Sequence, residues 1–184
     1  MALPMLSGDL ARREFEAARK LLDAERAVLD KLLAHDPSYR DWRFTLARHH
    51  EARASLLAEQ GQHSRAVEHA RRAVDTLQEL VSAAPEQRNF ATWLALAWWR
   101  LGRVQQRVGA PAEAHAAWQR GLELSEALAR QGSEPSLRDA RARLLLALER
   151  VDDAKLELSQ LARMGYREPT LAEVCREHGV ALAP

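Results

Sequence analysis

Apolar residues recur along this chain in long helical stretches, and the stretches stop at proline and glycine. The pattern predicts helices over about 9–34, 41–60, 63–82, 89–108, 112–131, 135–149, 152–164 and 170–178. Pro37, Pro85 and Pro135 punctuate it at intervals of 48 and 50 residues. Each follows one helical stretch and precedes another, because proline cannot continue a helix. Gly61-Gln62, Gly109-Ala110-Pro111, Gly132 and Gly165 mark the other stops.

The stops expose a repeat. A shift of 48 residues sets Gly61 on Gly109, Ala66 on Ala114, Leu46 on Leu94, Trp42 on Phe90 and Ala54 on Gly102. Each period reads as two helices. The small residues Ala54, Gly102, Ala66, Ala114, Ala73 and Gly121 fall where the two helices must cross, and a crossing at ~8–10 Å leaves no room for large side chains. The chain therefore divides as one domain over 1–184. A half repeat at 9–34 precedes repeats at 37–84 and 85–132, a shortened repeat at 135–165 and a cap at 169–184.

Trp98, Leu101, Gly102, Gly109, Ala114, Trp118 and Gly121 lie in the order and spacing of the tetratricopeptide repeat, and the chain resembles that family over about 12–164. Arg53 stands where the family has leucine, and the period exceeds the usual ~34 residues, so the chain looks like a bacterial form with elongated helices. The resemblance implies an all-α, right-handed superhelical solenoid of antiparallel helix pairs, with about seven to eight helices. It also implies that peptide-contacting positions fall at Arg48, Glu51, Ser55 and Glu59, at Leu96, Trp99, Arg103, Gln106 and Arg107, and at Asp139, Arg143 and Leu146.

Composition supports the fold class. Hydrophobic residues make up 47% and charged residues 29%, with Ala, Leu, Arg and Glu dominant, so the chain favours helix and a core. The net charge of +1 implies no polyanionic partner. Acidic residues (Asp139, Glu149, Asp152, Asp153) interleave the densest basic stretch, Arg138, Arg141, Arg143 and Arg150, which argues against nucleic acid. The basic residues are nearly all arginine, with lysine only at 20, 31 and 155, and arginine suits bidentate reading of carboxylates. Cys175 stands alone, so no internal disulfide forms. No apolar run approaches the ~20 residues of a membrane span, and the N-terminus lacks a signal-peptide pattern, so a cytoplasmic protein is expected.

Trp99, Arg103 and Arg107 share one helical face at i, i+4 and i+8. Trp98 and Trp99 point ~100° apart, so both cannot face one core seam. Two guanidiniums beside an indole would hold a carboxylate on an apolar shelf. The competing reading packs Trp99 on the next repeat and leaves the arginines solvated. His49 and His50 diverge on their helix, and His63 and His69 lie on different faces, which argues against a metal. Cys175 and His178 are i, i+3 neighbours, but a short cap offers no oxyanion hole, so a buried thiol is expected. Phosphate loops, nucleophile elbows and metalloprotease motifs are absent, so neither enzyme nor cofactor is expected.

The function expected is a scaffold that binds a partner peptide, helix or loop, one carrying acidic groups in particular. Two alternatives stand beside it. One is self-association into a homodimer through the N-terminal helix, with Phe15, Leu21, Leu22, Leu29, Leu32 and Leu33. The other is a regulatory or adaptor subunit of an enzyme encoded elsewhere.

Overall fold

The computed structural model describes residues 3–132 and 134–180, in which every regular element is a helix. The helices are α1 (Leu3–His35), α2 (Arg40–Glu59), α3 (His63–Ala83), α4 (Arg88–Arg107), α5 (Pro111–Ala129), α6 (Pro135–Ala147), α7 (Val151–Arg163) and α8 (Pro169–Glu177). The repeat survives in their starts: Arg40 and Arg88 open α2 and α4, and His63 and Pro111 open α3 and α5, each 48 residues apart. α6 and α7 have 13 residues each, the shortening expected of the last pair. α1 begins earlier than the expected position 9, because Pro4 is tolerated in a first turn where its missing N–H has no partner to lose. The end of the expected cap, 181–184, lies outside the described residues.

Several helix ends share one construction. Gly61 and Gly109 take φ of +71° and +78°, a region that L side chains rarely adopt. The next amide then turns back, from Gln62 to the Leu57 carbonyl at 2.8 Å and from Ala110 to Gln105 at 3.0 Å. α6 ends in the same turn without glycine: Glu149 has φ of +59°, and the Arg150 amide donates to the Leu145 carbonyl at 2.9 Å.

Consecutive helices pack against each other from α1 to α7, and short turns make each run back along its neighbour. α2, α4 and α6 also touch in sequence and form one row. The small residues of the repeat sit in the crossings, with Ala54, Ala66, Ala73 and Ala114 all buried. A methyl at Gly102 would overlap the Trp118 indole, and one at Gly121 would lie 2.8 Å from the Leu144 side chain. Trp118 can therefore enter, and its Nε1–H donates to the Trp99 carbonyl at 3.1 Å.

Three apolar clusters make the core. One centres on α2, α3 and α4 around Phe90 and Leu77, and a small one holds Leu57, Ala66 and Val104. The largest runs from α4 to α8 and joins Trp99, Trp118, Leu145, Leu171 and Val174. Among the described residues the backbone of α8 comes close to that of α6 and not to that of α7. It thus lies across the row rather than stacking beyond α7 as a further repeat, because its apolar side, Leu171, Val174 and Cys175, meets the Trp99 cluster. No described helix is long and apolar enough to cross a membrane.

Candidate functional site

The row α2, α4 and α6 carries all twelve residues expected to contact a peptide, but burial divides them. Trp99 is only 6% exposed, and the guanidiniums of Arg143 and Arg103 lie 4.9 and 5.1 Å from its ring centre. The expected open indole shelf is therefore covered by α8 and by these arginines. Arg143 is buried as well. It donates to Asp139 at 2.5 Å on its own helix, and to Glu168 at 2.8 Å and Thr170 at 2.9 Å at the start of α8.

That network fastens α8. The Tyr166 hydroxyl donates to Asp139 at 3.1 Å, and burial beside that carboxylate raises its pKa to about 12. Glu168 caps α8 by accepting the Leu171 amide at 2.8 Å. Burial pushes the Glu168 carboxyl up, but hydrogen bonds from Thr170, the Leu171 amide and Arg143 outweigh it and hold the pKa below the usual value.

The remaining members of the set are more open. Arg103 reaches Glu177 at the far end of α8 at 3.2 Å, and Arg107 reaches Glu59 of α2 at 3.1 Å. Ser55, Gln106 and Arg48 are exposed, and Arg48 lies 5.3 Å from the Trp93 ring centre. Glu51 is buried and accepts from Arg100 at 2.7 Å. Burial raises its pKa despite Arg100 and Arg48. Glu51, Trp99, Asp139, Arg143 and Leu146, expected among the peptide-contacting positions, are thus structural in the folded chain, because each completes a polar pair or an apolar cluster inside the fold.

Two recesses flank the arginines. One, of about 380 Å³, lies between α2, α4, α6 and α8, with Ser55, Glu59, Arg100 and Glu173 on its walls. The other, of about 590 Å³, is bounded by Gln106, His115, Trp118 and Glu149. Trp99, Arg103, Arg107 and Glu177 border both.

Elsewhere the structure resolves the other candidates. Arg138 and Arg141 both bind Glu157 at 2.8 Å, and Arg150 binds Asp153 at 2.8 Å, so the basic stretch is compensated. Cys175 is 1% exposed, and burial raises its pKa, so it stays a protonated thiol. His49 and His50 do diverge, but each meets a group from another helix. His49 Nδ1 lies 2.8 Å from Glu25 of α1, and His50 Nδ1 lies 3.0 Å from His69 Nδ1 of α3. Burial and the neighbouring cations depress both members of the His50–His69 pair, His50 to about 3. Among the described residues, no group of three or more His, Cys, Asp and Glu side chains could hold a metal.

Sequence spacing alone missed Glu168, Glu177 and Trp93, the partners of the arginines, because they come from other helices. The i, i+4 pair Asp139 and Arg143 was the one local signal of the network. No protein-family model, no curated protein and no solved structure matches this chain.

Proposed function

We propose that this chain is a non-catalytic protein-interaction scaffold of the tetratricopeptide type, a right-handed superhelical solenoid whose α2–α4–α6 face binds an acidic helix or segment of a partner protein. One observation carries this reading. The arginines of the face already hold a short helix by its carboxylates, Arg143 on Glu168 and Arg103 on Glu177. Such charge-assisted bonds are the chemistry by which the face would hold an acidic partner. Arg107, Arg48, Ser55 and Gln106 extend the face where solvent reaches it. Arg107 pairs with an exposed glutamate, so an incoming carboxylate can exchange with Glu59 at little cost.

Affinity capture from a lysate of the source organism tests the proposal. Wild-type protein and an Arg103→Glu, Arg107→Glu variant with the same circular dichroism would be compared by mass spectrometry. Loss of the same acidic partner from the variant supports the face. An unchanged set of captured proteins overturns it.

A further inference from the structure

Among the described residues α1 packs on α2 alone, so its opposite flank is the open end of the stack. The helix turns Phe15, Ala18, Leu22, Leu29 and Leu33 inward, all buried or half-buried. A second apolar line runs roughly 120° around it at 100° per residue. That line is Ala17, Leu21, Ala24 and Val28, all exposed, with Leu21 at 73% and Val28 at 57%. Its spacing of four, three and four residues is the seam of a two-helix coil, with Glu14 and Lys31 as the next seam positions at either end. Both are exposed, and neither makes an ion pair among the described residues.

We infer that two copies of this chain associate through antiparallel α1 helices, burying Ala17, Leu21, Ala24 and Val28 of each and pairing Glu14 of one copy with Lys31 of the other. A twofold axis between Leu21 and Ala24 sets Leu21 against Ala24, Ala17 against Val28 and Glu14 against Lys31. The charges choose the direction. Parallel helices in register would set Glu14 against Glu14 and Lys31 against Lys31 in the same seam, which disfavours that arrangement. The antiparallel one closes the apolar segment with an opposite-charge pair at each end. A repeat stack with an exposed apolar end is incomplete until something covers it, and a second α1 continues the stacking already made by α1 on α2. The contact is short, at the lower end of specific interface sizes, so the dimer depends on concentration.

Sedimentation equilibrium of the full chain over a wide concentration range tests this, with variants Glu14→Lys, Lys31→Glu and the double exchange. The expected result is a wild-type monomer–dimer equilibrium, weakened roughly tenfold by either single change. The double exchange restores it. So does mixing the two single variants, whose helices then carry complementary ends. A wild-type monomer at all concentrations overturns the inference. So does a dimer indifferent to the single changes, or one that neither the double exchange nor mixing restores. Circular dichroism on each variant confirms that the helices persist.

Discussion

Glu177, in the last turn of α8, accepts a hydrogen bond at 3.2 Å from Arg103 of α4, 74 positions earlier in the chain. With Arg143 at the other end of α8, it fixes the helix across the row.

The two attachments differ in strength. Arg103 and Glu177 are partly exposed, so Glu177→Ala should cost under about 1 kcal/mol. Arg143→Ala should cost roughly 3–5 kcal/mol, because it leaves the buried Asp139 without its guanidinium partner. Denaturant titration measures both. Hydrogen exchange over 169–177 should rise sharply in the Arg143 variant and little in the Glu177 variant.

Gly102→Ala should destabilise the chain by about 1–3 kcal/mol. The added methyl overlaps the Trp118 indole, which must leave its place and its bond to the Trp99 carbonyl. A fall in thermal midpoint together with a red-shifted tryptophan emission is the expected result, and an unchanged midpoint contradicts this account of the crossing.

Glu149→Gly should raise stability by about 0.5–1 kcal/mol. Glu149 holds the left-handed turn that glycine holds at 61 and 109, and a side chain is strained there. Thermal unfolding of the single variant checks the sign.

The His50–His69 pair predicts a pH dependence. One Nδ1 must donate and the other accept, so the two rings cannot both be cationic without breaking their contact. His50 titrates near 3 when folded and near 6.5 when unfolded. Between those values the unfolded chain holds the extra proton. Stability is therefore full above about pH 6.5 and falls as pH drops below it, at up to about 1.4 kcal/mol per unit from this group. Arg26, Arg53, Arg72 and His49 face the pair and add to the effect, while Glu68 opposes it. Denaturant titrations at pH 7.5, 6.0 and 5.0 should show a shallower decline for His50→Gln than for wild type.

The helices were legible because their stops are chemical. Pro37, Pro85, Gly61 and Gly109 cannot sit inside a helix at no cost, so every boundary except the start of α1 fell within a residue or two of the expected one. The small positions were legible too, since Ala66, Ala114, Gly102 and Gly121 repeat at fixed offsets. The covering of Trp99 was not. It depends on α8 lying across α6, and no local pattern in 169–177 states which neighbour that helix will meet. For the same reason the His50–His69 contact was not legible, because the two come together through the packing of α2 on α3 rather than through spacing on one helix.

The role of the α2–α4–α6 face is tested most directly by the affinity of a captured partner for two charge-reversed forms. One is Arg103→Glu, Arg107→Glu. The other is Arg71→Glu, Arg130→Glu, two exposed arginines away from the row. The first should weaken binding roughly tenfold or more while the second leaves it near wild type. Equal affinities for the two forms would contradict that role.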